Sequence, residues 1–202
     1  MLTDEEQMSK RLALAAAALL AGAAPAFAHV GTQAHSSFLS GFAHPLSGLD
    51  HILAMVAVGL WAAQLGGRAL YAVPAAFVGA MALGFILGAS GLALPFVEPA
   101  ILASVIVLGL VVATAVRVPL LASAGLVGLF ALAHGAAHAS EIGTAGALSF
   151  SLGFVAATAL LHGAGIGLGL VAGRGVGQRA GSALSRTLGA GTAIAGVALM
   201  IG

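Results

Sequence analysis

The stretch from His44 to His51 reads HPLSGLDH and runs directly into the apolar segment ILAMVAVGLWAAQLG. Two histidines and an aspartate therefore stand at the start of a segment that the sequence predicts to span a membrane. Proline is favoured at the first position of a helix, which predicts that this helix begins at Pro45 with His44 as its cap. His51 follows His44 by seven residues, close to two helical turns, so both imidazoles are expected on one side of the helix.

Ionisable side chains are costly in or near the hydrocarbon of a bilayer, so their presence there indicates a functional site. Asp50, next to His51, could bind a cation itself or hold the imidazole in one tautomer. The rest of the chain can therefore be searched for further ligands to a metal ion.

The composition predicts an integral membrane protein. Of the 202 residues, 60% are apolar and 6% are charged, whereas a soluble globular domain has roughly 25% charged residues. The absence of cysteine excludes disulfides, thiolate metal sites and iron–sulfur clusters. The single lysine, Lys10, does not form a phosphate-binding loop, so we expect no ATP site in this chain. The formal net charge of +1 says nothing about partners, and because the sequence has no basic patch we expect no nucleic-acid partner.

Residues 8–28 show the three parts of a secretory signal peptide. Lys10 and Arg11 form the basic region, a short apolar core follows, and residues 26–28 (Ala-Phe-Ala) form the cleavage site. The residues that precede Met8 are acidic and fit a signal poorly, which favours Met8 as the true translation start. An uncleaved anchor helix is the alternative, although the apolar run is short for a membrane span.

These features divide the chain into three predicted regions. The boundaries are 1–28 for the signal peptide, 29–43 for a short extracytoplasmic arm and 46–201 for a six-helix transmembrane domain. The arm carries His29 and His35. Cleavage after Ala28 would give His29 a free α-amino group, so this residue could form a two-nitrogen chelate with a metal ion.

Six apolar segments have lengths near the ~20 residues that a membrane span needs. They are predicted at about 46–65, 69–89, 98–116, 119–139, 146–172 and 183–201. The predicted fold class is therefore an all-α integral membrane protein, a polytopic bundle of about six transmembrane helices after a cleavable signal peptide.

The arginines beyond the signal peptide predict the orientation of the bundle. They occur where spans one and two, three and four, and five and six are joined, and are Arg68, Arg117, Arg174, Arg179 and Arg186. The other loops carry Glu98 and Glu141 instead. The positive-inside rule then places the mature amino terminus and the carboxy terminus outside the cytoplasm, in a multi-pass protein of the bacterial inner (cytoplasmic) membrane.

A second group of polar residues lies at the outer end of the fourth predicted span. His134, His138 and Glu141 are spaced i, i+4, i+7, which places them on one face of a helix. Two imidazoles one turn apart can share a cation. The arginine pattern puts this group at the same membrane face as His44 and His51, so we expect the two motifs to converge.

His162 lies in the fifth predicted span, past the middle of the bilayer when counted at ~1.5 Å per residue. A histidine in such a position often hydrogen-bonds a neighbouring helix. The alternative interpretation is an inner relay for an ion that has already passed the outer site.

Together these residues predict a metal site and no catalytic or cofactor-binding residue. The candidate ligands are His44, Asp50, His51, His134, His138, Glu141 and His162, with His29 and His35 as further candidates on the arm. Imidazole and carboxylate ligands without sulfur suit Ni²⁺, Co²⁺, Zn²⁺ or Cu²⁺ and argue against Cu(I). The residues alone therefore predict a divalent-cation site at the outer membrane face and leave the metal open.

Three stretches of the chain carry a resemblance to a known family. HPLSGLDHILAMVAVGLWA, LAHGAAHASE and LLHGAGIGLG resemble the HupE/UreJ family of hydrogenase- and urease-associated membrane proteins. The resemblance implies a nickel permease that acts as a facilitator and supplies nickel to hydrogenase or urease. It also implies that His44, Asp50 and His51 carry a His-x5-Asp-His block, one residue longer than the His-x4-Asp-His signature of nickel/cobalt permeases.

Three functions remain open at this point. The first is transport of Ni²⁺ across the cytoplasmic membrane, with Co²⁺ or Zn²⁺ as alternative ions, and on this interpretation the protein is not an enzyme. The second is a membrane-embedded zinc-dependent hydrolase, which lacks a convincing general base beyond Glu141. The third is a metal-binding sensory or accessory subunit. The expected partners are a divalent metal ion and the lipid bilayer, and the sequence is compatible with a homo-oligomer.

Overall fold

A computed structural model describes residues 37–139, 146–175 and 178–202 of the chain. The regular structure in these residues is helical, which confirms the predicted all-α fold. The helices are α1 (Phe38–Ser47), α2 (Leu49–Leu65), α3 (Ala69–Ala89), α4 (Val97–Thr114), α5 (Leu120–Ala139), α6 (Ala147–Gly175) and α7 (Gln178–Ile201). The predicted signal peptide, His29, His35 and Glu141 lie outside the described residues.

The described helices fit a membrane protein by length and composition. Five of them, α3 to α7, are long and apolar enough to cross a bilayer. The pair α1 and α2 would add a sixth span if counted as one, but its two helices meet at an angle of 85°. The predicted span 69–89 coincides with α3, and the predicted span 119–139 differs from α5 by one residue at its start.

The predicted start of the first span is wrong. Pro45 does not begin a helix and His44 does not cap one, because both lie in the last turns of α1. Helix α1 begins instead at a capping box, in which the side chains of Ser37 and Ser40 each accept a hydrogen bond from the other's backbone N–H, at 3.1 and 3.2 Å. Residues 38–43 of the predicted arm therefore belong to this helix.

The end of α1 follows from its sequence. Proline has no N–H to donate, so Pro45 removes one hydrogen bond from the last turns of the helix. The helix ends at Ser47, and the backbone of the next residue, Gly48, is extended (φ −99°, ψ 122°). Helix α2 then starts at Leu49 in a new direction.

Helix α2 is the central element of the bundle. It packs against α1, α3, α4, α6 and α7, and most of its side chains from Ala54 to Ala62 are buried. The indole Nε1–H of Trp61 donates to the backbone carbonyl of Val116 at 2.9 Å, and the side-chain amide of Gln64 donates to the carbonyl of Val112 at 3.0 Å. These two hydrogen bonds attach one end of α2 to the end of α4.

Glycines allow the helix backbones to approach closely, as small residues do in membrane proteins. They occur as reciprocal pairs, in which each helix presents a glycine to the backbone of the other. The pairs are Gly41 and Gly153 for α1 and α6, Gly59 and Gly165 for α2 and α6, Gly84 and Gly135 for α3 and α5, and Gly109 and Gly189 for α4 and α7. A Cβ atom added at any of these positions would collide with backbone atoms of the facing helix.

We predict that Gly135→Ala destabilises the protein, because the added methyl group would collide with the backbone carbonyl of Met81. Overpacking of this kind typically costs about 1–3 kcal/mol. The thermal unfolding temperature of the purified protein in detergent should fall. Gly125→Ala is the matched control on the same helix, because a Cβ atom there has no neighbour within 4 Å. Equal unfolding temperatures for the two variants would contradict the glycine contact between α3 and α5.

Candidate metal site

Four of the predicted ligands come together at one end of the bundle. We call His44, His51, His134 and His138 the histidine cluster. The ring centroids of His44 and His138 are 4.3 Å apart, and that of His51 lies 5.0 Å from those of both His134 and His138. The spatial convergence of the two sequence motifs is thus observed, whereas the binding of metal by these residues stays a prediction.

The bend between α1 and α2 brings His44 close to His51, with 6.2 Å between their ring centroids. The sequence predicted this proximity from two turns of one continuous helix, and that reason is wrong. His44 belongs to the end of α1 and His51 to the first turn of α2. The change of direction at Gly48 turns both imidazoles towards His138 on α5.

Asp50 holds His51 in one orientation. Oδ1 of Asp50 lies 2.9 Å from Nδ1 of His51 and also accepts the backbone N–H of His51 at 2.9 Å. A Cβ atom at position 48 would lie 2.6 Å from the same Oδ1 atom, so Gly48 leaves the space that this interaction needs. A carboxylate only accepts hydrogen bonds, so Nδ1 of His51 carries a proton, and in the neutral imidazole, the form that binds a metal, Nε2 carries the lone pair.

The second nitrogen of His51 faces α5. Its Nε2 atom lies 2.9 Å from Nε2 of His138, and both side chains are buried. Because Nε2 of His51 has no proton in this tautomer, the hydrogen atom between the two nitrogens belongs to His138. The two imidazoles are therefore coupled directly, by one hydrogen bond.

His134 is buried one turn before His138 on α5. Its Nε2 atom lies 3.0 Å from the hydroxyl of Ser104 on α4. Its Nδ1 atom is buried and has no hydrogen-bond partner among the described residues. Buried nitrogens are rarely left unpartnered in proteins, so this atom is a candidate contact for a ligand.

His162 lies deeper in the bundle than the histidine cluster. It is buried, and neither ring nitrogen has a hydrogen-bond partner in the part of the chain that the structure describes. The expected hydrogen bond to a neighbouring helix is therefore not seen there. Phe77 contacts both His162 and the cluster, with its ring centroid 5.0 Å from that of His162 and 5.6 Å from that of His134.

Aromatic rings of α6 border the other side of the cluster. The ring centroid of Phe154 is 4.9 Å from that of His138, and the ring centroid of Phe150 is 5.7 Å from that of His44. A cavity of about 270 Å³ opens between α3, α5 and α6, and among the described residues that line it His138 is the ionisable one. The cluster is thus bordered by apolar groups, which strengthens its electrostatic interactions.

The described residues do not form a closed coordination sphere. Within residues 37–139, 146–175 and 178–202, no three histidine, aspartate or glutamate side chains have the arrangement of a metal site. Glu141, a predicted ligand, follows the end of α5 and lies outside these residues. The donor atoms nevertheless fit a borderline divalent cation, because imidazole nitrogens and a carboxylate are present together.

Sequence reasoning missed two residues that contact the predicted ligands. Ser104 and Phe77 are both fully buried, one beside His134 and one in contact with both His134 and His162. In the sequence each looks like an ordinary packing residue of an apolar helix. Their importance comes from contacts between helices that are far apart in the chain, for which the spacing of residues gives no signal.

An all-helical, multi-pass protein with buried imidazoles beside a carboxylate has the features of a cation-handling membrane protein. The sequence profile of the HupE / UreJ protein family matches residues 16–199, and the chain belongs to this family. It is 50% identical over 178 residues to Protein HupE of Rhizobium leguminosarum bv. viciae, a match that covers 88% of this chain and 91% of that protein. No solved structure matches the chain. The family is associated with nickel uptake for hydrogenase and urease, and its members are transporters rather than enzymes.

We predict that Asp50→Asn weakens nickel binding. The substitution keeps the shape of the side chain but introduces an amide that can donate, so the tautomer of His51 is no longer fixed. Loss of such an orienting partner typically costs about 10–100-fold in metal affinity. Calorimetric titration of the purified protein with Ni²⁺ measures the change. Wild-type affinity would show that Asp50 neither orients His51 nor binds the metal.

Proposed function

We propose that this protein carries Ni²⁺ across the cytoplasmic membrane as a facilitator that supplies hydrogenase or urease, with Co²⁺ as a second ion that the same ligands could accept. The observation that supports this most strongly is the histidine cluster. Imidazoles from α1, α2 and α5 meet in an apolar interior beside Asp50, in a family associated with nickel uptake.

In this proposal the cluster receives the ion from the outer face. His44, His51, His134 and His138 supply nitrogen donors, and Asp50 supplies a carboxylate. Glu141 adds a second carboxylate from the segment after α5. The arm with His29 and His35 would deliver ions to the cluster from the same side.

The positions of Phe77 and His162 support a path that leads inward from the cluster. His51 and His134 are neighbours, and Phe77 is a ring neighbour of both His134 and His162. An ion that leaves His134 would pass Phe77 to reach the ring nitrogens of His162, which have no hydrogen-bond partner among the described residues. His162 then acts as the inner relay of the path.

Transport and hydrolysis make different demands on the ligands of a metal ion. An ion must bind well enough to lose water and enter, yet weakly enough to leave again. Ligands that hydrogen-bond one another, as His51 and His138 do at 2.9 Å, must give up the proton between them before both can bind the ion. Family membership favours transport over hydrolysis, because the family consists of transporters.

We predict that His51→Ala and His138→Ala each remove most nickel uptake. Loss of a ligand should cost more than the ~10-fold that is the lower bound for loss of an orienting partner. Uptake of radioactive Ni²⁺ by proteoliposomes gives the measurement. The control is Thr187→Ala, an exposed residue of α7 whose hydroxyl donates to the carbonyl of Ala183 in the same helix. Wild-type uptake in either histidine variant would show that the cluster does not lie on the transport path.

We predict a different result for His162→Ala. Nickel affinity at the cluster should stay near that of the wild type, because His162 is not a member of the histidine cluster and its described ring contact is with Phe77. The rate of uptake at saturating Ni²⁺ should fall, since the inner relay is lost. Calorimetry and liposome flux on the same preparation separate the two effects. Normal flux in a well-folded variant would contradict the relay.

A further inference from the structure

We infer that Ser104 is a positioning residue that fixes the tautomer of His134 and so makes Nδ1 the nitrogen through which His134 binds the transported cation. This inference rests on the proposed function. It concerns which atom of His134 meets the ion and which residue determines that choice.

The hydrogen bonds of Ser104 determine where the proton of His134 lies. The hydroxyl of Ser104 donates to the backbone carbonyl of Ile101 at 2.6 Å. A serine hydroxyl has one proton and a carbonyl only accepts, so this proton is not available to His134. Nε2 of His134, 3.0 Å from the same oxygen, must therefore be the donor.

The other nitrogen of His134 follows from this assignment. A neutral imidazole with a proton on Nε2 has its lone pair on Nδ1. That atom is buried without a hydrogen-bond partner among the described residues, and both Ser104 and His134 have no solvent exposure. The lone pair of Nδ1 is thus left for a ligand, while Nε2–H is held by Ser104.

Asp50 and Ser104 act on the two neighbouring imidazoles in opposite ways. Asp50 holds the proton of His51 on Nδ1 and leaves Nε2 as its acceptor. Ser104 holds the proton of His134 on Nε2 and leaves Nδ1. Partners of this kind commonly set the tautomer of metal-binding histidines. The neutral hydroxyl of Ser104 does this without adding a second negative charge to the buried site.

The test uses Ser104→Ala and a matched control. Ser104→Ala removes the acceptor for Nε2–H, so His134 should populate both tautomers. Ser123→Ala is the control, because Ser123 is also buried and its hydroxyl makes the same bond to a carbonyl three residues earlier, that of Leu120. The described contacts of Ser123 include no histidine. Ser104→Cys, which is close to serine in size but a weak acceptor, serves as the second variant if the alanine variant does not fold.

The tautomer is measured by ¹⁵N NMR of the metal-free, histidine-labelled full chain in detergent, with the signals of His134 identified by their loss in His134→Gln. In the wild type and in Ser123→Ala we expect a protonated Nε2 and a bare Nδ1. In Ser104→Ala we expect a mixture of tautomers. A protonated Nδ1 in the wild type, or an unchanged tautomer in Ser104→Ala, would overturn the inference.

Nickel uptake by proteoliposomes tests the consequence for transport. We expect Ser104→Ala to lose on the order of tenfold or more relative to Ser123→Ala. Equal uptake in the two variants would overturn the role of Ser104 in positioning the ligand. If the wild type itself takes up no nickel, the proposed function fails, whereas the tautomer of His134 is still decided by the NMR result.

Discussion

The close approach of helix backbones at glycine is the constraint on which the histidine cluster depends. Gly41 and Gly153 let α1 lie directly against α6, and Gly84 and Gly135 do the same for α3 and α5. Gly135 is the residue that follows His134, so the contact that fixes α5 also fixes the depth of its histidines. In lipid, the burial of apolar surface gives no driving force for helix association. Close packing at small residues supplies much of the driving force instead.

The interior of the bundle contains histidine nitrogens that have no hydrogen-bond partner among the described residues. Nδ1 of His134 and both ring nitrogens of His162 are buried without partners there. A buried polar atom without a hydrogen-bond partner usually lowers the stability of a protein. The presence of such atoms in this bundle therefore points to a functional role. A cation that passes through would contact them in turn, which links the cost of burying these nitrogens to the proposed function.

The sequence predicted some features well and others not at all, for physical reasons. The span of α3 was predicted from its long apolar run, because length and composition alone define it. The helix start at Pro45 was predicted wrongly, because the preference of proline for the first turn says nothing of a bend at Gly48. The convergence of His51 and His138 was predicted from the alternation of spans. Ser104 was missed, because nothing in the pattern of its own helix signals a contact with a residue of another helix.

The hydrogen bond between His51 and His138 places a condition on how an ion enters. His51 already keeps its proton on Nδ1 through Asp50, so the proton between the two Nε2 atoms belongs to His138. An ion that binds both Nε2 atoms must displace that proton, either to Nδ1 of His138 or out of the site. Metal binding at histidine is coupled to proton movement for this reason. In the proposed path, therefore, entry of the ion depends on a rearrangement at His138, while His51 and His134 keep the lone pairs that Asp50 and Ser104 assign to them.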